Sequence, residues 1–355
     1  MTSTITGLSP APRTRGTAGQ FVIRRLAVRL SLVRVTETAF RPDVEGLRAL
    51  AVVAVLLFHA RVAGFDGGFI GVDVFFVLSG FLITRLLLRE LAATGTISLK
   101  AFWARRARRL LPASCLVLVV TVIAAHWMLP PLDQRTLAVD AAASATFLVN
   151  FVFADQLGDY FGAQLAESSP SPLLHFWSLA VEEQFYLVWP ALLVAATRRP
   201  GQYRRFLLGL VLGIGCVSFA LSAWLTDAAP TWAFYTLPTR MGELLAGAAI
   251  AVVGTAILLV SPVFRAVLGW LGVIGITVAV MTYDTSTAFP GLATLLPVLS
   301  TVLVIVAGGT GAERHGPICF LRLPPMQWLG RHSYAIYLWH WPALVLAEAR
   351  FGPLP

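Results

Sequence analysis

Long apolar stretches separated by short polar loops run along most of this chain. Ten of them approach or exceed the length that a helix needs to cross the hydrocarbon core of a bilayer. They cover approximately residues 46–64, 69–90, 110–129, 137–154, 174–197, 206–226, 240–260, 264–283, 289–309 and 332–349. The pattern predicts an all-α polytopic membrane protein, a bundle of about nine to ten transmembrane helices.

The segment 137–154 is the weakest of the ten, because Asp140, Ser144 and Asn150 interrupt it. The positive-inside rule places the arginine-rich N-terminus and the loop between the second and third segments in the cytoplasm. If 137–154 crosses fully, the arginine-rich loop that begins at Arg198 falls outside. If 137–154 is re-entrant or interfacial, that loop returns inside and the C-terminus lies outside. We favour the re-entrant alternative.

Composition agrees with this architecture and argues against other classes. Of the 355 residues, 57% are hydrophobic and 13% are charged, about half the charged share of a soluble protein. The net charge of +9 comes from arginines that lie between apolar runs, where topology places them, so we expect no nucleic-acid partner. The three cysteines, Cys115, Cys216 and Cys319, lack the paired spacing of a disulfide framework or a metal site.

The apolar pattern divides the chain into three regions. Residues 1–42 are expected to form a basic, partly disordered cytoplasmic tail, because they lack the apolar core of a cleaved signal peptide. Part of this tail could also form a basic amphipathic helix on an anionic membrane surface. Residues 43–350 form the predicted transmembrane domain, and residues 351–355 form a short final tail.

Ionisable residues in the first apolar segment are the first candidates for chemistry. His59 follows an uninterrupted apolar run, and ionisable groups at membrane depth are commonly functional. Eleven helical steps bring Arg48 and His59 to within roughly 20° around the axis, about 16 Å apart along it, and Glu45 lies one turn before Arg48. We predict a catalytic site with His59 as the base, assisted by Arg48 and Glu45. The alternative is a structural histidine beside an ordinary ion pair.

The arginines of FWARRARRLLP are candidates for an anion site. Helical spacing places Arg105, Arg108 and Arg109 on one face, with Arg106 off it. Guanidinium groups bind phosphate well, so this block could hold a polyphosphate such as the nucleotide end of coenzyme A. Positive-inside topology and contact with lipid headgroups explain the same charges without a substrate.

Other polar residues inside apolar helices are candidates for an acceptor site or for supporting positions. In HFWSLAVEEQFYLVWP, one helical stripe formed by His175, Ser178, Glu182 and Tyr186 could line a site for a hydroxylated substrate. An ion pair with another helix, for instance to Arg240, is the alternative for its carboxylates. Asp73 could face the same cavity as His59. The full set is Asp73, Ser79, His175, Ser178, Glu182, Glu183, Arg240, Glu243 and His340.

Five blocks in this order resemble the acyltransferase-3 family of integral membrane acyltransferases. They are Arg48 and His59 with ten residues between them, GVDVFFVLSGFLIT, FWARRARRLLP, HFWSLAVEEQFYLVWP and GRHSYAIYLWHWP. The resemblance spans about residues 40–350. It implies transfer of an acyl group, often acetyl, from cytoplasmic acyl-CoA, a co-substrate, to a hydroxyl of a carbohydrate or glycolipid in the bacterial inner membrane or envelope. It also implies a catalytic role for His59 and donor binding by the arginine block.

The resemblance leaves several questions open. Many members carry an extracytoplasmic SGNH-type esterase domain, so the end at FGPLP indicates either a stand-alone transferase or truncation. Many members also have Asp where this chain has Glu45. His59 could deprotonate the acceptor or carry the acyl group transiently. A transporter or flippase is a second class, suggested by the intramembrane carboxylates but weakened by the lack of an internal repeat. An inactive scaffold is a third.

Overall fold

A computed structural model describes residues 40–159, 170–198, 202–254, 261–308 and 316–352. Within these ranges every regular element is helical, which confirms the predicted all-α class. The described helices belong to one compact unit that begins at Arg41. Nearly all of the predicted basic tail, and the end of the chain from residue 353, lie outside the described residues.

The helices occur in the order that the apolar segments predict, with short additional turns between them. A 3-10 turn at Gly68–Ile70 precedes the second helix. Over the described ranges the α-helices are α1 (Pro42–His59), α2 (Gly71–Thr94), α3 (Leu99–Met128), α4 (Pro131–Ala145), α5 (Val149–Asp159), α6 (Phe176–Thr197), α7 (Tyr203–Ala228), α8 (Pro230–Tyr235), α9 (Leu237–Val253), α10 (Pro262–Thr282), α11 (Leu295–Ala307), α12 (Ile318–Leu321) and α13 (Pro324–Phe351).

Six stretches in the described part of the chain are long and apolar enough to cross a membrane. They are α2 with its preceding turn, α3, α6, α7, α8 together with α9, and α10. Helix α1 has 18 residues but carries Asp43, Glu45 and Arg48 in its first two turns, and α11 has only 13 residues. A polytopic membrane protein is therefore supported, while the count of nine to ten crossings stays a prediction.

The weakest predicted segment, 137–154, is not one continuous helix. Helix α4 ends at Ala145 and α5 begins at Val149. Between them Phe147 has a φ of 55°, which is uncommon for a residue other than glycine. The 15 residues of α4 and the 11 of α5 rise about 22 and 16 Å, each less than the roughly 30 Å of a bilayer core. A single uninterrupted crossing is therefore wrong, and the re-entrant course stays a prediction.

Helices α1 and α13 pack closely and run in the same direction. Gly330 lies against the backbone of Glu45, so closely that an added Cβ would overlap it. One turn further along both helices, Arg48 Nε donates to Ser333 Oγ at 3.2 Å. Residues further along α1 contact residues further along α13, so the two helices are parallel. The C-terminal half of α13 therefore reaches the same end of the bundle as the end of α1.

A proline inside α6 ties this helix to α3. Pro190 has no N–H to donate to the carbonyl of Tyr186, four residues earlier, so this carbonyl lacks its helical partner. The indole Nε1 of Trp103 donates to it at 3.0 Å. Trp103 belongs to the arginine-rich block at the start of α3, so this bond anchors the block beside the polar face of α6.

The crossing of α2 and α9 depends on two glycines. A Cβ on Gly80 would meet the backbone of Leu244, and one on Gly247 would meet the backbone of Val77. Neither backbone can move aside as a flexible side chain could. Small residues at such positions let two membrane helices approach closely.

We expect Gly80→Ala to destabilise the protein by about 1–3 kcal/mol, because the new methyl group would push α2 away from α9. Gly213→Ala in α7 is the matched control, since nothing lies within 4 Å of its added Cβ and alanine favours a helix by roughly 1 kcal/mol over glycine. Thermal unfolding in detergent should show a lower midpoint for Gly80→Ala only. Equal midpoints for the two variants would contradict the close crossing.

Candidate active site

A cavity of about 370 Å³ is lined by residues of α1, α2, α3, α6 and α13 and by Phe147. Apolar side chains form much of its wall, and eight charged residues complete it. These are Glu45, Arg48, Arg85, Arg89, Arg106, Arg109, Glu182 and Glu183. Because arginines outnumber glutamates, the cavity suits an anionic ligand.

The cavity changes in character along α2. Its lining runs from Val72 to Arg89, which corresponds to about 25 Å along a helix axis. Phe75 and Phe76 lie near the start of this helix, whereas Arg85 and Arg89 lie near its end. The cavity is therefore apolar near the start of α2 and basic near its end.

The structure separates the four arginines of the block in α3. Arg106 and Arg109 line the cavity. Arg105 instead pairs with Glu90 at 2.8 Å, and its side chain is 46% exposed. Arg108 is exposed and donates to the backbone of its own helix. Of the three arginines predicted to share one face, Arg109 therefore lines the cavity and Arg105 and Arg108 do not. Arg106, which lies off that face, also lines the cavity.

Glu182 is the centre of the polar network on the α6 side of the cavity. Its carboxylate accepts hydrogen bonds from the hydroxyls of Ser79 and Tyr186. The Nη2 atom of Arg106 lies 3.8 Å from Glu182 and 3.9 Å from Glu183. The same guanidinium lies 3.9 Å from the centroid of the Tyr186 ring, a cation–π contact. Of the predicted polar stripe of α6, Ser178, Glu182 and Tyr186 line the cavity, whereas His175 does not.

Glu45 and Arg48 face this cavity. Arg48 Nη1 lies 3.7 Å from Glu45 Oε1, one turn earlier. His59, at the opposite end of α1, is not part of the cavity lining. The three residues share a helix as predicted, but the structure places them in two neighbouring sites rather than one.

His59 belongs to a cluster of three histidines. Its Nδ1 atom lies 3.0 Å from Nε2 of His340, and the His340 ring lies 5.6 Å from that of His175. His175 and His340 are buried, whereas His59 is partly exposed. Trp341 packs against His59 with ring centroids 4.5 Å apart. Of the three histidines, His59 is therefore the most exposed.

His175 fills a gap in the backbone hydrogen bonding of α13. Pro342 has no N–H to donate to the carbonyl of Leu338, four residues earlier. His175 Nε2 lies 3.0 Å from that carbonyl oxygen and must carry the hydrogen of the bond. This contact ties the start of α6 to α13 beside the histidine cluster.

Tyr337 and Ser178 lie between the cavity and the histidines. Both residues line the cavity, and their hydroxyls are 2.6 Å apart. The Tyr337 hydroxyl also donates to the carbonyl of His175 at 3.2 Å, and its ring lies 5.3 Å from that of His340. Tyr337 and Ser178 therefore connect the wall of the cavity to the histidine cluster.

A family model described as "Acyltransferase domain" (Acyl_transf_3) matches residues 41–355. The chain belongs to the acyltransferase-3 family. The matched region contains the cavity, the histidine cluster and all five of the blocks that carry the sequence resemblance, so the expected family is confirmed.

Named relatives of this acyltransferase-3 chain come from several bacteria. It is 36% identical to the peptidoglycan O-acetyltransferase OatA of Listeria monocytogenes over 319 residues, which cover 86% of this chain and 49% of that protein. It is 35% identical to the putative peptidoglycan O-acetyltransferase YrhL of Bacillus subtilis, with coverage of 86% and 49%. A putative O-acetyltransferase of Staphylococcus aureus is 30% identical, with coverage of 89% and 53%. The chain spans about half the length of these relatives. No solved structure matches it.

Arg240, Asp73 and Glu243 form a buried ion cluster away from the cavity lining. Arg240 Nη1 lies 3.3 Å from Asp73 Oδ1 and 2.8 Å from Glu243 Oε1. All three side chains are at most 1% exposed. Asp73 therefore does not face a cavity with His59 as predicted, and the pairing of Arg240 with the α6 carboxylates is also wrong, since Arg106 holds these. The cluster ties α2 to α9.

Sequence reasoning missed Arg85 and Arg89 as site residues, because their charges were already explained by topology. The sequence of α2 nevertheless contains a helical pattern that points to this face. Phe75, Leu82 and Arg89 are spaced by seven residues, which places them on one helical stripe. Tyr337, three residues before His340, could have been found in the same way.

Proposed function

We propose that this chain transfers an acetyl group from acetyl-CoA to a hydroxyl of a cell-envelope carbohydrate, with peptidoglycan as the first acceptor to test. The observation that carries the proposal is the cavity, with arginines at one end and the Ser178–Tyr337 pair beside the histidines at the other. Family membership supports acyl transfer. The names of the relatives support acetyl as the transferred group and peptidoglycan as the acceptor.

The donor is proposed to lie lengthwise in the cavity as a co-substrate. Arg85, Arg89, Arg106 and Arg109 would hold the phosphates of the nucleotide end, since guanidinium groups bind phosphate oxygens in pairs. The uncharged arm would then extend along α2 toward Phe75 and the hydroxyl pair. This placement directs the thioester toward the histidine cluster.

In the simpler form of the reaction, His59 acts as a general base. Its free ring nitrogen takes the proton of the acceptor hydroxyl while the hydroxyl oxygen attacks the thioester carbonyl carbon. The carbon–sulfur bond breaks, the acetyl group remains on the acceptor oxygen, and the departing thiolate takes the proton from His59. The histidine is restored, and the products are the acetyl ester and free coenzyme A.

In the relay form, His59 itself attacks the thioester carbonyl. The carbon–sulfur bond breaks, coenzyme A leaves as its thiolate, and a positively charged acetyl-imidazole remains. The acceptor hydroxyl oxygen then attacks the acetyl carbon, and the carbon–nitrogen bond breaks to restore neutral His59. The hydroxyl proton is released and balances the proton taken up by the thiolate. This form suits transfer across the membrane, because donor and acceptor need not be bound together. In both forms the acetyl group would pass beside Tyr337 and Ser178, which lie between the cavity and the histidines.

The two ends of the site are proposed to face opposite sides of the bacterial inner membrane. If the N-terminus is cytoplasmic, as its arginines favour, α1 runs outward. Arg48 and the arginine end of the cavity then face the cytoplasm, where acetyl-CoA is available. His59, at the end of α1, then faces the envelope, where the acceptor lies.

The direct test uses the full chain in proteoliposomes with acetyl-CoA labelled in the acetyl group. Soluble peptidoglycan fragments should stimulate thiol release, and the label should appear in the fragments as an alkali-labile ester. Release equal to one molecule per protein without acceptor, with the label on the protein, would favour the relay. Folded protein that releases no thiol from acetyl-CoA or longer acyl-CoAs, but moves glycan precursors across the bilayer, would refute the proposal and support a transporter.

Donor binding by the arginine block can be tested with two adjacent residues. We expect Arg109→Gln to raise the KM for acetyl-CoA roughly 10- to 100-fold, the effect of losing one charge-assisted hydrogen bond. Arg108→Gln should leave KM unchanged, because Arg108 does not line the cavity. Titration of acetyl-CoA binding and steady-state kinetics check both. An equal loss in the two variants would mean that the block acts through its overall charge.

A further inference from the structure

His340 makes two hydrogen bonds with different partners. Its Nδ1 atom lies 2.6 Å from the backbone carbonyl oxygen of Tyr337, one turn earlier in α13. Its Nε2 atom lies 3.0 Å from Nδ1 of His59, on α1. His340 is 7% exposed, so these protein partners, rather than solvent, determine which of its nitrogens carries hydrogen.

The bond between His340 and the Tyr337 carbonyl determines which ring nitrogens of His340 and His59 carry hydrogen. A carbonyl oxygen can only accept, so Nδ1 of His340 must carry a hydrogen. In a neutral imidazole the other nitrogen is then an acceptor, so Nε2 of His340 offers a lone pair. The hydrogen shared with His59 must therefore belong to Nδ1 of His59. This leaves the lone pair of His59 on its Nε2 atom.

We propose that His340 is a positioning residue that selects the tautomer of His59 and leaves Nε2 as the atom that takes the proton or the acyl group. The proposal rests on the proposed function and names the reacting atom in it. Tyr337 contributes through its backbone carbonyl, which is held by the regular structure of α13. The role resembles that of an acidic residue behind a catalytic histidine, with a neutral imidazole as the acceptor.

The surroundings of His59 favour this arrangement over one centred on His175. Nε2 of His175 is occupied by the Leu338 carbonyl at 3.0 Å, and its Nδ1 atom is buried. The ring of His59 is held on another side by Trp341, whose Nε1 donates to the Ser171 carbonyl at 2.8 Å. His59 is thus oriented by two consecutive residues of α13 and by a hydrogen bond to the backbone of Val55, one turn earlier in α1, and it remains partly exposed.

The hydrogen bond between His59 and His340 also stabilises the state in which His59 has taken the proton or the acyl group. When Nε2 takes the proton of a hydroxyl, or bonds to an acyl carbon, the ring becomes positively charged. The hydrogen on Nδ1 then becomes a stronger donor, and the lone pair of His340 stabilises the charge. No additional reactant is needed, and the charge disappears when the proton or acyl group leaves.

The test compares His340→Phe, which removes the acceptor, with His340→Gln, whose side-chain oxygen can still accept from His59. We expect His340→Phe to lower kcat for acetyl transfer about 10- to 100-fold with an unchanged KM for acetyl-CoA, because His340 does not line the donor cavity. His340→Gln should recover most of this loss. A KM increase in step with the kcat decrease, or no recovery by glutamine, would indicate a merely structural role and overturn the proposal.

A second measurement reads the tautomer without using activity. Nitrogen NMR of protein labelled in its histidines, with His59→Ala used to identify the His59 signals, should show hydrogen on Nδ1 of His59 in the unmodified protein. Hydrogen on Nε2 instead would overturn the inference even if acetyl transfer is observed. If no transfer occurs but the Nδ1 tautomer is found, the proposed function fails while the geometric assignment holds. The labelled wild-type protein keeps the test decisive if His340→Phe does not fold.

Discussion

We expect the His59→Ala variant to transfer acetyl groups about 100- to 10,000-fold more slowly than the unmodified chain, the range expected for loss of a general acid–base group. His59 combines partial exposure with a contact to a second histidine, His340, whose ring packs against Tyr337 of the cavity wall. A neutral imidazole is also well matched to proton transfer near neutral pH. Loss of a nucleophile in the relay form would lower the rate at least as much.

The measurement is release of free coenzyme A and labelling of the acceptor, with the KM for acetyl-CoA followed in parallel. KM should change little, because the cavity is formed without His59. His332→Ala is the matched control, since His332 is exposed on α13 and bonds only to the backbone of its own helix. A His59→Ala variant that transfers at the wild-type rate would remove His59 from the mechanism.

The second large effect is expected on stability. Arg240→Met should lower the free energy of unfolding by about 3–5 kcal/mol, because Asp73 and Glu243 would be left as buried carboxylates without a counter-charge. Four aromatic rings surround the guanidinium at 5.2 to 5.7 Å and offer no replacement for that charge. Thermal unfolding and size-exclusion chromatography in detergent measure the loss.

Two further variants test whether the loss of stability comes from leaving buried carboxylates unpaired rather than from removing any arginine. Arg105→Met removes an arginine from an exposed ion pair with Glu90 and should cost less than about 1 kcal/mol. Adding Glu243→Gln to Arg240→Met should restore part of the stability, since one buried negative charge is removed. If Arg240→Met unfolds like the unmodified chain but does not transfer acetyl groups, the cluster belongs to the substrate site instead.

The local pattern of the chain was sufficient for several features of the site. The period of 3.6 residues placed His175, Ser178, Glu182 and Tyr186 on one stripe, and the structure has the last three on the cavity wall. It also placed Glu45 and Arg48 together, as found. These are contacts within a single helix, where spacing alone determines which side chains share a face.

The same reasoning was not sufficient where the partner lies on a distant helix. His59 meets His340 across 281 positions of sequence, and Arg240 meets Asp73 across 167. Spacing within α3 could not say that Arg106 and Arg109 face the cavity while Arg105 and Arg108 do not. The break at Phe147 in segment 137–154 was also hidden, although its polar residues had marked the segment as weak.

The sequence by itself determined the helical class, the membrane setting, the family and which side chains lie close together along one helix. Only the tertiary structure decided which faces meet, and hence that the arginine-lined cavity and the histidine cluster are separate sites joined at Tyr337 and Ser178. The physical reason is that helix period is a local property of the backbone. In a membrane protein, lipid-facing and buried surfaces are both apolar, so hydropathy does not specify how one helix is rotated toward another.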